Sequence, residues 1–395
     1  MKRKLLFPLS SLILVIVMSF IALSVPTSLP VNSDFSALYN TDLALVNRIP
    51  IYDLPRVTVL AQQHSGIPAK NFFLARFPYP PWYALSTFYL GWMSARAAAT
   101  LWFELNLVML FLSIWFLTDG WPGRLRLIAF PLGLFFLPVL GALSVGQYDF
   151  PVLLGTSLLI YSLRKENIAL TILGAVLLTF KPHIGALILL CVLGWLILNR
   201  SDFARRVARP LVIAGVVLFI IGFIADSTWI ISYPRMLLNY QNEGNVSACS
   251  ACASLPVFLS RWFFDGSLSK ASIIAIGALV ILILVFYFVI SSFNPPEFLV
   301  TAALLVTLLV SPYLYNYDFL LLLVPFAVLA KQGNLIQIMI VLICYFVPSF
   351  ALLLLGRAGN ISLILVTIIL TALLYFQLYR LRPKNSVIDF TARAA

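Results

Sequence analysis

An aspartate shortly after the first apolar run is the earliest residue in the chain that could do chemistry. Asp34 lies in the stretch from Val31 to Tyr39. A following helix would hold its carboxylate close to a membrane surface, where it can act as a general base that takes a proton from an attacking hydroxyl. The structural alternative stays open, because Ser33 or Asp34 before an apolar run is also an ordinary helix start.

A lysine interrupts the longest apolar region in the middle of the chain. Lys181-Pro182-His183 breaks what would otherwise be a continuous apolar run from Ile168 to Leu198. A lysine is a point-charge partner for phosphate, and the N-terminus of a helix that starts after Pro182 adds a favourable dipole. A lysine that snorkels at the end of a span is the equally open alternative.

Two further clusters, Gly146–Asp149 and Ser311–Asp318, combine amide, carboxylate and aromatic groups. This mixture binds polar substrate groups and ring faces in proteins. Tyrosines also populate the interfacial belts of membrane proteins, so the belt is the favoured explanation for the tyrosines of the second cluster. A belt does not require Asp149, Asn316 or Asp318, which therefore remain candidate binding residues.

The elements that must position these residues are membrane helices. Of 395 residues, 62% are hydrophobic and 10% charged, a balance that excludes a soluble domain of this size. The segment from Leu5 to Val25 follows a basic start and lacks an obvious cleavage site, so we expect an anchor helix rather than a signal peptide. The net charge of +12 is spread over short loops and both termini, which favours membrane orientation and excludes nucleic acid as a partner.

Four cysteines are too few for a disulfide scaffold. Cys191 and Cys344 fall inside apolar segments and behave as small hydrophobes. Cys249 and Cys252 form a CxxC motif, but no second CxxC or nearby histidine completes a zinc site. A local disulfide or idle thiols are therefore favoured over a redox pair, and no metal or cofactor is predicted.

The distribution of basic residues predicts the topology. The apolar stretch 79–93 is short for a span, and if it crossed, the basic joints at 124–126, 164–165 and 200–209 would all lie outside, against the positive-inside rule. We therefore expect 79–93 to be a re-entrant or interfacial helix. The anchor and the following segments then give about twelve spans in a single domain, 1–395: 97–118, 127–145, 150–163, 168–180, 184–198, 210–225, 271–291, 297–310, 318–330, 335–354 and 360–379.

This topology places every polar cluster that would be costly to bury in lipid on the outer side of the membrane. A helical first extracytoplasmic loop spans 26–96, a second large loop spans 226–270, and the tail 380–395 is cytoplasmic. Ionisable groups at a membrane boundary indicate a functional site. We expect one outward-facing polar cavity, formed by Asn32–Phe35, Tyr79–Pro81, Gly146–Asp149, Lys181–His183 and Ser311–Asp318.

The ordered set of motifs resembles the GT-C class of membrane glycosyltransferases, most closely glycosyltransferase family 87, the polyprenol-phosphate-mannose-dependent alpha-mannosyltransferases. The resemblance runs through most of the chain, and the order of the motifs carries it. They are Ser33-Asp34-Phe35 with Tyr39, Ile51-Tyr52-Asp53, Tyr79-Pro80-Pro81, Gly146-Gln147, Lys181-Pro182 and Ser311-Pro312. Tyr148-Asp149 and the tyrosines after Pro312 depart from the pattern expected of the family. These departures bear on which sugar and which acceptor the protein uses, and less on its class.

The resemblance implies an all-α GT-C fold and an inverting transfer with Asp34 as catalytic base. The donor would be a polyprenyl-phosphate-linked hexose, with mannose favoured. The acceptor would be a hydroxyl of a glycolipid or glycan at the outer face of the cell membrane. Lys181 would bind the donor phosphate, and Gln147 and Asp318 would contact sugar or acceptor. The full set of expected substrate-binding residues is Tyr79, Gln147, Asp149, Lys181, His183, Asn316 and Asp318.

Two other classes of protein share this composition. A transporter or flippase of lipid-linked saccharides should carry its ionisable groups near the bilayer midplane, within broken helices of matching halves. Here they lie toward one face, and no half-to-half repeat is visible. A non-catalytic assembly protein would leave Asp34, Lys181 and Asp318 far apart.

Overall fold

The computed structural model describes most of the chain, and all of its named elements are helices. The described ranges are 33–65, 76–198, 201–243, 252–264, 296–311 and 314–381, with isolated residues at 72, at 74 and between 267 and 280. The predicted anchor, most of the predicted span 271–291, the tail beyond residue 381 and Cys249 lie outside the described residues.

Nineteen helical elements follow one another within the described ranges. They are α1 (Asp34–Val46), α2 (Leu54–Ser65), α3 (Pro81–Thr87), the 3₁₀ helix η1 (Phe88–Trp92), α4 (Ala95–Leu117), α5 (Gly123–Phe135), α6 (Leu137–Val145), α7 (Asp149–Lys165), α8 (Ile168–Leu178), α9 (Pro182–Leu198), α10 (Asp202–Ala225), α11 (Trp229–Glu243), α12 (Leu255–Phe263), α13 (Pro296–Val310), η2 (Asn316–Leu322), α14 (Leu323–Gln332), α15 (Leu335–Leu355), η3 (Gly356–Gly359) and α16 (Asn360–Leu381).

Several of these helices have the length and composition of membrane spans. Within the described residues, α4, α10 and the continuous stretch from α15 to α16 pass as three candidate spans, and the bent pair α5–α6 makes a fourth. The chain is therefore an all-helical membrane protein. The prediction of about twelve spans is not confirmed by these criteria, because α8, α9 and α13 are apolar but shorter than a full crossing.

The predicted span 127–145 is two helices rather than one. α5 and α6 meet at an angle of 57°. Pro138 lies in the first turn of α6, where its missing N–H and fixed φ favour a new helix start over continuation. The Leu132 carbonyl accepts from the Tyr345 hydroxyl, and the Leu137 amide donates to Ser349 Oγ at 3.3 Å. Side chains of α15 thus satisfy backbone groups near the bend, as a break inside a membrane requires.

The segment predicted to be re-entrant or interfacial forms α3 and η1, joined end to end. Together they reach about 20 Å at ordinary helical rises, which is shorter than the hydrocarbon core. η1 packs closely on α1: a Cβ on Gly91 would come within 2.4 Å of the Asp42 carbonyl oxygen. The side of the membrane on which this segment lies stays a prediction.

The buried residues form two hydrophobic clusters of different character. The larger one is mainly aliphatic and joins α4–α7, α9 and α13–α16. The smaller one is rich in aromatic rings and joins α1, α3, η1 and the start of α4 to Tyr148, Phe180 and α11. The candidate site described below lies where the aromatic cluster meets the ends of α6, α7 and α9.

Candidate active site

Asp34 is the first residue of α1, and Ser33 is its N-cap. The Ser33 hydroxyl oxygen accepts from the Ser36 amide at 3.3 Å, so the capping role falls to the serine. The Asp34 side chain, half-buried, is left to make other contacts.

Gln147 approaches Asp34 because Gly146 ends α6 in a left-handed turn. Gly146 has φ +66°, and a Cβ at this position would lie 2.6 Å from Phe35 Cβ, so only glycine fits. The turn presents Gln147, whose Nε2 donates to Asp34 Oδ2 at 3.1 Å. The Gln147 Oε1 accepts from the Tyr148 amide at 2.7 Å, which orients the amide so that its donor side faces the carboxylate.

Two tyrosines complete the surroundings of Asp34. The Tyr148 hydroxyl, fully buried, donates to the backbone carbonyl of Asp34. The Tyr317 side chain, in the first turn of η2, lies within hydrogen-bonding reach of the Asp34 carboxylate. α1 is therefore held at its first residue by groups from two distant parts of the chain.

The electrostatic environment raises the pKa of Asp34 above its ordinary value. Burial is the main cause, and the negative charge of Asp318 adds to it. The hydrogen bond from Tyr317 and the nearby cation of Lys181 act in the opposite direction. A carboxylate with a raised pKa is a better proton acceptor, which is the property that a general base needs.

Lys181 lies in the sharp turn between α8 and α9. Its carbonyl accepts from the amides of Ile184 and Gly185 at 3.0 and 2.9 Å. A Cβ on Gly185 would come within 2.0 Å of the Leu178 carbonyl oxygen, so glycine permits the two helices to meet this closely.

The Lys181 ammonium is buried between two carboxylates. Its Nζ lies 2.6 Å from Asp149 Oδ1 and 2.5 Å from Asp318 Oδ1, and the three side chains are 2% exposed or less. Asp318 also accepts from the Tyr315 amide through Oδ2 at 2.6 Å. The two carboxylates outweigh the effect of burial and raise the pKa of Lys181, which stays charged. We call Asp149, Lys181 and Asp318 the buried charge cluster.

Tyr79 packs beside this cluster. Its ring lies 4.8 Å from that of Tyr148, and the Lys181 Nζ lies 6.0 Å from the Tyr79 ring centre. The Tyr52 hydroxyl donates to the Tyr79 carbonyl at 2.6 Å, which ties the Ile51–Asp53 segment to the site.

The structure brings most of the predicted site residues together. Asp34, Tyr79, Gln147, Asp149, Lys181 and Asp318 form one connected group. Asn316 is half-buried at the start of η2, and His183 is exposed in the first turn of α9; neither makes a hydrogen bond within the described part of the chain. Their predicted substrate contacts stay predictions, as do those of the other residues.

Sequence reasoning assigned the tyrosines of Ser311–Asp318 to an interfacial belt and gave Asp42 no role. Tyr317 instead contacts Asp34, and its place next to Asp318 was the available signal. Asp42 is fully buried two turns along α1 and accepts from Thr87 Oγ1 at 3.2 Å. Burial raises the pKa of Asp42 well above its ordinary value.

The possible metal ligands and the CxxC motif were the other candidates for chemistry. The described residues contain no group of three or more His, Cys, Asp or Glu side chains placed to hold a metal ion. Cys252 is disulfide-bonded, and its backbone forms an antiparallel bridge with Tyr315. The Ala253 amide donates to the Leu314 carbonyl at 2.8 Å, so the predicted second loop is fixed beside the segment that carries Tyr317.

One comparison with known proteins gave a match. The sequence model of glycosyltransferase family 87 matches residues 77–312 of the 395, more than half of the chain. The matched region contains Gln147, Asp149 and Lys181, whereas Asp34 and Asp318 lie outside it. Comparisons with curated proteins and with solved structures gave no match. The extent of the family match shows that the chain belongs to glycosyltransferase family 87.

Proposed function

We propose that this glycosyltransferase moves a hexose, with mannose the favoured sugar, from a polyprenyl-phosphate donor to a hydroxyl of a glycolipid or glycan acceptor. The transfer inverts the anomeric configuration: the acceptor oxygen attacks the anomeric carbon as the bond to the lipid phosphate breaks. Asp34 takes the proton of the acceptor hydroxyl, and the phosphate leaves with the bonding electron pair.

The observation that carries this proposal is the set of contacts around the Asp34 carboxylate. It is half-buried, receives a hydrogen bond from Gln147 and lies within reach of Tyr317. These donors orient the carboxylate, while burial raises its pKa, so the group is both held in place and basic. An aspartate that served only as a helix cap would not need these partners, since Ser33 already caps α1.

A lipid-linked donor fits a chain that consists of apolar helices. The sequence has no glycine-rich nucleotide loop, and the described residues have no sheet on which a nucleotide-binding fold could be built. We propose that donor and acceptor meet at the extracytoplasmic side of the cell membrane, which the positive-inside rule assigns to the end of the helices that carries Asp34.

The test is sugar transfer in membranes that express the chain. Polyprenyl-phosphate-mannose carrying a radiolabel in the sugar would be compared with labelled polyprenyl-phosphate-glucose and with a labelled nucleotide sugar. We expect label in a glycolipid or glycan product from the mannosyl lipid. Transfer from the nucleotide sugar alone would contradict the proposed donor class.

The variant Asp34→Asn removes the base but keeps the side-chain shape. We expect transfer to fall at least about 100-fold, the usual range for a lost general base. Asp202→Asn is the matched control, since Asp202 is the first residue of α10 behind the N-cap Ser201, as Asp34 is in α1 behind Ser33, but is exposed. Unchanged transfer by Asp34→Asn would remove Asp34 as the base.

The predicted side of the membrane has a separate test. A cysteine introduced by Arg124→Cys or Lys165→Cys should resist a membrane-impermeant thiol reagent added from outside. Labelling of either position from outside, compared with the unsubstituted chain, would contradict the topology.

A further inference from the structure

Two short segments, Gly146–Asp149 and Tyr315–Asp318, each contact both Asp34 and Lys181. In the first, Gln147 donates to the Asp34 carboxylate and Asp149 binds the Lys181 ammonium. The second brings Tyr317 within reach of Asp34, and Asp318 binds Lys181. The segments are far apart in sequence, and the buried charge cluster joins their ends.

The buried charge cluster leaves little room for a phosphate on Lys181. The ammonium is 2% exposed and its charge is already balanced by the two carboxylates. A donor phosphate that approached it would meet two negative groups and would have to displace at least one of them. A buried charge set of this kind is strongly destabilised when one member is lost, because an uncompensated charge remains.

We propose that Lys181 is a positioning residue, which fastens the two segments together so that Gln147 and Tyr317 meet the Asp34 carboxylate, rather than a ligand of the donor phosphate. This inference rests on the proposed function of Asp34 as the base. The orientation of Asp318 supports it, because the same carboxylate binds Lys181 through one oxygen and the Tyr315 amide through the other. Tyr317 is thereby held in the turn that brings it to Asp34.

Substitutions within the buried charge cluster separate the two possible roles of Lys181. Lys181→Met alone leaves Asp149 and Asp318 buried without a cation, so the loss of stability would obscure any effect on donor binding. The triple variant Lys181→Met/Asp149→Asn/Asp318→Asn removes all three charges and keeps hydrogen-bonding groups on both segments. We expect the triple variant to recover folded protein, with a donor KM within about threefold of the unsubstituted chain. Its kcat should fall, because the two segments are no longer fastened together beside Asp34, and an unchanged kcat would contradict the positioning role.

A raised donor KM would overturn the inference. If Lys181 binds the phosphate, the triple variant should fold but show a donor KM at least about tenfold higher, since a charged contact to phosphate is lost. Lys331→Met is the control for removal of a lysine, since Lys331 binds the Asp119 carbonyl at an exposed site.

The single variant Asp149→Asn gives the answer if the triple variant does not fold. Loss of one carboxylate makes the Lys181 ammonium more available. If Lys181 were a ligand of the donor phosphate, the Asp149→Asn variant would bind the donor more tightly and show a lower donor KM. That result would contradict the inference. If Lys181 is a positioning residue, Asp149→Asn would lower kcat and leave the donor KM unchanged. The acid limb of the pH–rate profile would also shift, because Gln147 and Tyr317 would move away from Asp34. Failure of the proposed function would show already in the unsubstituted chain, as absence of transfer.

Discussion

The two ends of α7 carry charge clusters of opposite composition. At its first residue, one cation lies between two carboxylates, and all three side chains are 2% exposed or less. At its last turn, Arg164 and Lys165 pair with the single carboxylate of Asp119 at 3.4 and 3.3 Å, with side chains that are 18–52% exposed. The clusters are separated by about 24 Å of helix.

The difference between the ends is burial, and burial decides what each cluster does. An exposed ion pair is screened by water and contributes about 0–1 kcal/mol. A buried set must keep every partner, because water cannot solvate a charge that is left alone. The buried end is also the one with Asp34, Gln147 and Tyr317, whereas the exposed end gathers basic residues from three joints. Four predictions test this comparison, from the largest expected effect to the smallest.

Loss of the buried cation should have the largest effect. Lys181→Met is expected to lower the free energy of unfolding by about 3–5 kcal/mol, the usual cost of removing one partner from a buried charge set. Thermal unfolding in detergent measures it. Lys331→Met at the exposed end should change the unfolding midpoint little, and equal losses in both variants would contradict the distinction between the ends.

A side chain at Gly146 should disturb the turn that presents Gln147. Gly146→Ala places a Cβ 2.6 Å from Phe35 Cβ at a positive φ, and we expect a loss of about 2 kcal/mol from strain and overpacking. Transfer should fall as well, because Phe35 adjoins Asp34. Gly194→Ala in α9 is the control, since nothing lies within 4 Å of its Cβ position; a similar loss there would argue against a special role of this turn.

Replacing the amide beside Asp34 by a carboxylate should shift the pH dependence of transfer. Burial already raises the pKa of Asp34, and Gln147→Glu adds a negative charge that raises it further. Since the base must be ionised, the acid limb of the pH–rate profile should move to higher pH, and the transfer lost on that limb should recover as the pH rises. Gln63→Glu adds the same charge at an exposed position of α2. An unshifted acid limb in Gln147→Glu would contradict the role of Asp34.

The exposed cluster should tolerate loss of its only acid. Asp119→Asn is expected to lower the free energy of unfolding by less than about 1 kcal/mol, and added salt should remove even this difference by screening. Thermal unfolding at low and high salt measures it. A loss comparable to that of Lys181→Met would mean that exposure does not separate the two clusters.

The sequence predicts where the helices lie better than it predicts which residues contact each other. Apolar periodicity placed spans at 335–354 and 360–379, and the helices found there are α15 and α16, with nearly the same bounds. The bend between α5 and α6 was missed, because Pro138 was counted as part of one apolar run. Charge patterning predicted that the polar clusters lie on one side of the membrane. That side stays a prediction, but residues of these clusters do meet around Asp34 and Lys181.

Contacts between residues that are far apart along the chain could not be predicted from the sequence. The partners of Lys181 lie 32 and 137 residues away, and spacing gives no information about such pairs. A lone lysine at a span end therefore suggested a phosphate ligand, whereas its carboxylate partners became visible only in three dimensions. The burial of Asp42 was missed for the same reason, since its neighbours come from α3 and η1.

We have proposed that catalysis takes place at the buried end of α7 and depends on Asp34. The most direct test compares Asp34→Asn with Asp119→Asn in transfer of labelled mannose from polyprenyl-phosphate-mannose, with equal amounts of folded protein. The two substitutions remove one carboxylate each, at opposite ends of the helices. We predict that Asp34→Asn loses at least about 100-fold in rate while Asp119→Asn stays within about twofold of the unsubstituted chain. Full activity of Asp34→Asn, or an equal loss in both variants, would contradict the claim.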